Sequence, residues 1–253
     1  MQRYFVPSHQ WSEQNLVIKG DDYHHIVNVM RMKEGHSIIC VTNGVSYVCE
    51  VHDIQDQTVE CLIIKKLNEN QELPVKVTLA QGLPKGDKLD LIVQKSTELG
   101  LEHFIPLQMD RTIVKWDHKK EQKKLERLEK IAKEASEQSH RSVIPTINQK
   151  LTLKELFNNP SYDHLWVASE LVAKDHKNCS LKFRNMINQV EKGDHILIII
   201  GPEGGFSDQE IEFLSDHNCQ SIRLGPRILR TETAPLYALS AISFYFEEWR
   251  CEV

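Results

Sequence analysis

The chain has 253 residues, which is long enough for one large domain or two modest ones with a buried core. Its composition is ordinary, with 40% hydrophobic and 26% charged residues, and this excludes a collagen-like, coiled-coil or disordered protein. The longest apolar run, residues 196–200, is far too short to span a membrane, and residues 1–7 lack the layout of a signal peptide.

The six cysteines and twelve histidines show no spacing that is typical of a metal site. No two cysteines form a C-x-x-C pair, and no two histidines form H-E-x-x-H. We therefore expect no metal and no disulfide framework, and we expect reduced thiols in a cytoplasmic protein.

Short strands dominate the first 70 residues. They are predicted at residues 3–6, 16–19, 37–42, 46–51 and 58–66. One helix, residues 21–32, interrupts them, and Asn43-Gly44 is a hairpin turn signal. Five short strands at this spacing predict a small β-barrel domain over residues 1–70. The polar stretch 68–73, which is followed by Pro74, is the candidate linker.

After Pro74, strands alternate with helices. Strands are predicted at residues 75–81, 103–109, 165–169, 196–200 and 221–224, and helices at 87–99, 119–138, 181–190, 208–217 and 235–249. This alternation predicts an α/β domain over residues 74–253, with a mostly parallel sheet that is covered on both faces.

The net charge of −5 argues against indiscriminate nucleic-acid binding, but positive charge gathers in the middle of the chain. Residues 76–150 carry 15 Lys and Arg against 11 Asp and Glu, whereas residues 201–253 carry 4 against 9. This distribution indicates a locally basic face that could contact phosphate groups. A single solvated helix face over residues 119–133 would explain the same charge.

A glycine-rich loop, Gly201-Pro202-Glu203-Gly204-Gly205-Phe206-Ser207, follows the apolar strand 196–200. Open α/β sheets bind ligands where a buried parallel strand ends in such a turn before a helix. Ser207 and Glu210 form a capping box, so we expect them to start the next helix. The loop matches no phosphate-binding motif, and Glu203 would repel a phosphate. A ligand with a cationic or neutral surface, such as S-adenosylmethionine, fits better, and a plain tight connection is the alternative.

The second segment of interest also joins a strand to a helix. It reads Leu224-Gly225-Pro226-Arg227-Ile228-Leu229-Arg230-Thr231-Glu232-Thr233-Ala234-Pro235. Two arginines, a glutamate and two threonines offer more hydrogen-bonding groups than a connection needs. Helix capping is the alternative explanation for Thr231 and Thr233, and a surface ion pair with Glu232 is the alternative for Arg227 and Arg230.

Taken together, these two segments closely resemble the RsmE family of 16S rRNA uridine-N3 methyltransferases, which belongs to the SPOUT class. The resemblance spans the chain and includes Arg3-Tyr4-Phe5-Val6, His25 with Val29-Met30-Arg31, Leu83-Pro84-Lys85-Gly86-Asp87-Lys88, Thr97-Glu98-Leu99-Gly100 and Glu134-Ala135-Ser136-Glu137-Gln138-Ser139. Met30 in place of the usual leucine and Pro235 after the alanine depart from the pattern, and neither removes a functional group.

The resemblance implies a PUA-like β-barrel that helps to bind RNA, followed by an α/β domain with a deep trefoil knot. It also implies a homodimer, S-adenosylmethionine as cofactor, and 16S rRNA of the small ribosomal subunit, in its decoding region, as substrate. The cofactor contacts that it implies are Gly201, Glu203, Gly204, Gly205, Leu224, Gly225, Leu229, Arg230, Thr231, Thr233 and Ala234.

Methylation of uridine N3 requires alignment of the two reacting centres and stabilisation of the charge that spreads onto O2 and O4. Arg227 and Arg230 are the catalytic candidates, because a guanidinium is always charged and can donate two hydrogen bonds at once. The target base must be unpaired or flipped out of its stack. The predicted RNA contacts are Arg3, Arg31, Lys85, Lys88, Arg111 and Arg141.

Other functions stay open at this point. A non-enzymatic rRNA-binding assembly factor would use the barrel and the basic middle, but it leaves the two crowded loops unexplained. A SPOUT methyltransferase acting on another RNA is the second alternative. A nucleotide hydrolase is disfavoured, because the sequence has no phosphate loop and no metal-ligand cluster.

Overall fold

The computed structural model describes residues 1–158, 161–169 and 183–250. It divides the chain into two compact units, Met1–Glu72 with Ser136–Ile144, and Leu73–Ala135 with Pro145–Val253. The segment Ser136–Ile144, which the sequence assigns to the second domain, groups with the first unit. The domain limits predicted from the sequence, 1–70 and 74–253, stay predictions.

The first unit contains a five-stranded sheet that forms a curled half-barrel. Its strands are β1 (Arg3–Phe5), β2 (Asn15–Ile18), β3 (Ser37–Thr42), β4 (Val45–Gln55) and β5 (Thr58–Lys66). The order is β1-β3-β4-β5-β2, with β1 parallel to β3 and the other neighbours antiparallel. All five predicted strands are present. The sheet buries an apolar core that includes Tyr4, Leu16, Ile38 and Val51.

Two-residue turns set the register of this sheet. Asn43 and Gly44 both have positive φ, 49° and 75°, and they join β3 to β4, which confirms the predicted hairpin. Asp56 and Gln57 also have positive φ, 47° and 60°, and they join β4 to β5. The second turn has no glycine, so the sequence signal for it was weaker.

The predicted helix at residues 21–32 is shorter than expected. An α-helix, α1 (Asp21–His24), continues as a π-helix over His25–Val29, and Arg31 then takes a left-handed backbone with φ of 52°. The wider π turn changes the spacing of side chains on the helix surface. The prediction that the helix reaches residue 32 was therefore wrong.

The second unit contains a sheet whose strands, among the residues that the structure describes, all pair in parallel. Its strands are β6 (Lys76–Gly82), β7 (His103–Gln108), β8 (Thr146–Ile147), β9 (Leu151–Thr152), β10 (His164–Ala168), β11 (His195–Ile200) and β12 (Gln220–Ile222). The order is β12-β10-β11-β6-β7-β8, and β9 pairs with β7. Residues 196–200 of β11 are all buried, as expected for a central parallel strand.

Helices alternate with these strands. They are α2 (Lys88–Glu98), α3 (His118–Gln138), α4 (Leu153–Leu156), α5 (Phe183–Ile187), α6 (Asp208–Asp216) and α7 (Thr233–Ser243), which continues as a π-helix over Phe244–Trp249. The first two residues of the predicted helix 181–190 lie outside the described residues. Within the described part of the chain, no helix has the length and apolarity needed to cross a bilayer.

Parallel pairing brings the carboxyl ends of the central strands to one edge of the sheet. There β6 ends at Gly82, β10 at Ala168 and β11 at Ile200. Ligands bind at this edge in open α/β sheets, because the connections that follow the strands converge there. The trefoil knot stays a prediction from the resemblance.

Candidate active site

A cavity of about 630 Å³ opens at the carboxyl edge of the second sheet. Ala168 and Ile200, at the ends of β10 and β11, line it together with residues 201–206, residues 228–232 and Ala234. Lys88 from α2 and Arg111 complete one wall. Small-molecule sites enclose about 300–1,000 Å³, so this cavity has the size for an organic cofactor.

The glycine loop fits closely against the segment that follows β7. A Cβ atom on Gly204 would lie 2.9 Å from the Cβ of Arg111, so a larger residue there would displace the backbone. The Arg111 Nη1 donates a hydrogen bond of 3.0 Å to the Gly204 carbonyl. Gly205 has φ of 68°, a backbone conformation that favours glycine. The glycines of this loop therefore serve close packing and chain direction.

The start of α6 anchors the same segment. Ser207 and Glu210 form the predicted capping box, which the structure confirms. The buried Glu210 carboxylate also accepts a hydrogen bond of 2.9 Å from the Asp110 backbone N–H. The Ser207 Oγ donates to the Asp110 carboxylate over 2.7 Å. The helix thus holds the residue that precedes Arg111.

Glu203 has its charge balanced by Lys88. The Lys88 Nζ lies 2.8 Å from the Glu203 carboxylate and 3.4 Å from that of Glu232, and the Lys85 backbone N–H donates to Glu203 over 3.1 Å. Burial acts to raise the pKa of Glu203, but hydrogen bonds from Lys88 and backbone N–H groups outweigh it and hold the pKa below its usual value. The hydrogen bond to Glu203 raises the pKa of Lys88. The expected repulsion of phosphate by Glu203 is therefore weakened.

Thr231 joins the two connections that line the cavity. Its Oγ1 donates a hydrogen bond of 2.7 Å to the Gly201 carbonyl and accepts one of 2.9 Å from the Gln81 Nε2. The N-cap of α7 is Glu232, and no side-chain hydrogen bond caps this helix. The capping alternative for Thr231 and Thr233 was therefore wrong. Gln81 was missed, although an amide side chain at the end of a buried strand is a signal.

The two predicted catalytic arginines occupy different positions. Arg230 lines the cavity with 83% of its side chain exposed, and its Nη1 lies 3.9 Å from the Glu232 carboxylate. Arg227 is exposed but is not among the residues that line the cavity. The ion pair of Arg230 is long and solvated, so it contributes little stability.

Most of the predicted cofactor residues line the cavity. They are Gly201, Glu203, Gly204, Gly205, Leu229, Arg230, Thr231 and Ala234. Leu224, Gly225 and Thr233 are not among the lining residues. Phe206 and Ile228 in the connections and Ile211 in α6 also line it. They were not predicted, because a single apolar residue carries no specific sequence signal.

The predicted RNA contacts separate into three groups. Arg31 and Lys85 are exposed, whereas Lys88 and Arg111 lie at the cavity. Arg3 and Arg141 are 2% and 3% exposed.

Arg3 and Arg141 form ion pairs inside the first unit. The Arg3 guanidinium lies 2.5 Å from the Glu69 carboxylate, and that of Arg141 lies 2.5 Å from the Glu72 carboxylate. Arg3 also donates to the Ser46 hydroxyl and to the Arg141 carbonyl. As the structure places them, these two arginines hold the first unit together and cannot reach a phosphate, which corrects their expected role.

The described residues hold no group of three or more His, Cys, Asp or Glu side chains that could bind a metal. The cavity thus offers backbone groups, apolar side chains and a mixture of cationic and anionic side chains.

Two family models match the chain. An RNA methyltransferase domain model matches residues 71–243, and an RNA methyltransferase PUA domain model matches residues 18–64. The second match agrees with the half-barrel of the first unit. Together with the parallel sheet, the matches define the class: this is a protein of the RNA methyltransferase type with a PUA-like unit.

Individual relatives narrow the class. The chain is 47% identical to ribosomal RNA small subunit methyltransferase E of Bacillus subtilis (strain 168), with 98% of each chain covered. It therefore belongs to the ribosomal RNA small subunit methyltransferase E family, which confirms the resemblance.

Two solved structures are also similar. Ribosomal RNA small subunit methyltransferase E from Neisseria gonorrhoeae, bound to S-adenosyl methionine, shares 28% identity with a TM-score of 0.82, covering 97% of this chain and 98% of that chain. A methyltransferase from Legionella pneumophila, in complex with the bound cofactor SAM, shares 32% identity with a TM-score of 0.82, covering 95% and 96%.

Proposed function

We propose that this protein uses S-adenosylmethionine to methylate N3 of a uridine in the 16S rRNA of the small ribosomal subunit. One observation carries the proposal: the two connections that the sequence singled out meet at one cavity, in a chain whose relatives bind this cofactor. The family supports the rRNA substrate, and the resemblance supports the N3 position.

The residues at the cavity fit the cofactor. Ile200, Ile228 and Leu229 offer apolar surface for the adenine ring, and the glycine loop lets backbone groups approach the ligand. Asp208 also lines the cavity and supplies negative charge that suits an ammonium or a sulfonium, whereas Lys88 balances the charge of Glu203 and lies near Glu232. Bound S-adenosylmethionine supplies an electrophilic methyl group. The protein's own residues then bind and orient the reacting pair, and they exclude water from it.

Arg230 is the proposed catalytic residue. Its exposed guanidinium lies at the cavity and is not held by a tight ion pair, so it is free to donate to the carbonyl oxygens of the target base. Negative charge on those oxygens grows as N3 loses its proton, and a cation beside them stabilises it. Arg227, exposed on the same connection, is the second candidate.

The proposal extends to the partners. Arg31 and Lys85 are the exposed cations proposed to contact RNA phosphates. The helix that begins at Thr233 exposes Tyr237, Phe244 and Trp249, which are 41%, 55% and 70% exposed, and we propose that it forms a homodimer contact. A cytoplasmic location follows from the proposed ribosomal substrate.

The test uses the purified full chain with S-adenosylmethionine and either free 16S rRNA or assembled small subunits from a strain that lacks the modification. We expect one methylated uridine, modified at N3, which mass spectrometry of rRNA fragments would locate. Cofactor binding without rRNA methylation would point to another RNA substrate. Absence of cofactor binding in a calorimetric titration would support the non-enzymatic assembly factor instead.

A further inference from the structure

A buried hydrogen-bonded chain links the central strand β6 to both connections that line the cavity. The Gln81 Nε2 donates to the Thr231 Oγ1 over 2.9 Å, and the Thr231 Oγ1 donates to the Gly201 carbonyl over 2.7 Å. Gln81 is 0% exposed and Thr231 is 7% exposed. Both side chains are therefore buried, and a hydrogen bond left unmade at either one would be costly.

The direction of each hydrogen bond is fixed by the chemistry of its ends. A backbone carbonyl only accepts, so the Thr231 hydroxyl must donate to Gly201 and use its lone pairs for Gln81. The Gln81 Nε2 also donates to the Gly82 carbonyl over 3.0 Å, which requires the NH₂ group of the amide to face both acceptors. A carboxylate at this position could make neither of these donations.

The neighbouring glycine adds a steric contact at the same point. A Cβ atom on Gly82 would lie 2.5 Å from the Pro202 Cδ and 2.6 Å from the Pro202 backbone nitrogen. The end of β6 therefore touches the glycine loop through Gly82 and holds the second connection through Gln81. Both contacts come from one rigid strand at the centre of the sheet.

We propose that Gln81 is a positioning residue for the cofactor, acting through Thr231 to fix the Gly201 carbonyl and thereby the spacing of the two cofactor-binding connections. The inference rests on the proposed function, because it names a residue that serves the same site. It also adds a role for Thr231: the hydroxyl donates to Gly201 and accepts from Gln81, so it holds the two connections together.

The test compares isosteric variants of the full chain. Thr231→Val leaves both Gln81 and Gly201 without the Thr231 hydroxyl. Gln81→Leu removes the hydrogen bonds to Thr231 and to the Gly82 carbonyl but keeps the one from Thr231 to Gly201. We expect Thr231→Val to weaken S-adenosylmethionine binding by about tenfold or more and Gln81→Leu by less, because unsatisfied buried groups are costly. Thr231→Ser keeps the hydroxyl and should restore binding. The two losses should not add in the double variant, since both break the same chain.

Thr78→Val is the matched control. Thr78 is 1% exposed and lies on the same strand, and its hydroxyl pairs with the His195 Nε2 over 2.8 Å at the opposite end of β6. It should lower the thermal midpoint comparably to Gln81→Leu while leaving the dissociation constant for S-adenosylmethionine unchanged. Calorimetric titration well below the unfolding temperature separates the two effects.

Equal cofactor binding by wild type, Thr231→Val and Gln81→Leu would overturn the proposal and leave the proposed function intact. The proposal also fails if Thr78→Val weakens binding as much as Gln81→Leu, because the effect would then be general destabilisation. If Thr231→Val does not fold, Gln81→Leu against Thr78→Val decides. A wild-type chain that binds no S-adenosylmethionine would overturn both proposals.

Discussion

Arg230 and Arg227 lie three positions apart on one connection, yet only Arg230 is among the residues that line the cavity. The sequence could not separate them, because both are arginines on the same connection. The same limit applied to Arg3 and Arg141, whose charge suggested RNA contacts until their burial and ion pairs were known. The residue type indicates that a positive charge is available. Burial decides whether this charge contacts RNA or a carboxylate of the protein itself.

Replacement of Arg230 tests this difference. Arg230→Ala should lower the methylation rate constant by about 100-fold or more, the usual loss when a donor that stabilises developing charge is removed. Cofactor affinity should stay within about threefold, because the lost ion pair is exposed. Single-turnover rates and calorimetry measure the two quantities.

Arg127→Ala is the control for Arg230→Ala. Arg127 is an exposed arginine on α3, paired with the Asp90 carboxylate over 2.5 Å, and it should change neither quantity. Turnover that is unchanged in Arg230→Ala would remove this residue from the mechanism. A loss of turnover confined to Arg227→Ala would assign the catalytic role to Arg227.

The ion pair of Glu203 predicts how the stability of the folded state depends on pH. Its pKa is held below the usual 4.5, so ionised Glu203 stabilises the folded state above that pH and the contribution is lost as pH falls through the lowered pKa. The thermal midpoint of wild type should exceed that of Glu203→Gln near neutral pH. The difference should shrink only under acid conditions, below about 4.5. A difference that vanished well above this value would contradict the assignment.

The control for this pH profile is Glu98→Gln. Glu98 pairs with Lys95 over 2.7 Å on α2, and both side chains are more than a third exposed. An exposed pair of this kind should contribute little, so the variant should follow the wild-type profile.

At the scale of elements, the long or strongly apolar segments were predictable and the shortest ones were not. The central strand β11 and the helix α3 lie within one residue of their predicted limits, because their patterns extend over many residues. β8 and β9 have two residues each and α4 has four, which is too short for any period to show. The π-helix at His25–Val29 was missed because its spacing differs from that of an α-helix.

Two capping boxes allow a matched test of how α6 serves the site. Ser207 caps α6 and Thr152 caps α4, each with a glutamate three residues later. Ser207→Ala and Thr152→Ala should each lower the free energy of unfolding by about 1 kcal/mol.

Only Ser207→Ala should also weaken cofactor binding, because Ser207 and Glu210 hold Asp110 next to Arg111 and the glycine loop. Urea denaturation and calorimetric titration of both variants provide the comparison. Equal cofactor affinity in the two variants would show that the cap serves the helix alone.

At the scale of the whole molecule, the exposed apolar face that follows Thr233 predicts self-association. Phe244→Asp should shift the chain from dimer to monomer in analytical ultracentrifugation, because a charge would be buried at the contact. Ile64→Asp is the control, since Ile64 is also 55% exposed but belongs to β5 of the first unit. A wild-type chain that sediments as a monomer would remove the homodimer from the proposed function.

The parallel pairing of β6 with β11 has a consequence for how the chain is made. Lys76 pairs with His195, about 120 residues later along the chain, whereas β3, β4 and β5 are joined by two-residue turns. At a synthesis rate of about 5–20 residues per second, roughly 6 to 24 seconds pass between the synthesis of β6 and that of β11. The hairpins of the first unit can form within that interval, whereas the cavity is complete only after its last lining residue, Ala234, has been made. A protein whose proposed substrate is ribosomal RNA therefore cannot complete its own active site until the ribosome that makes it has passed residue 234.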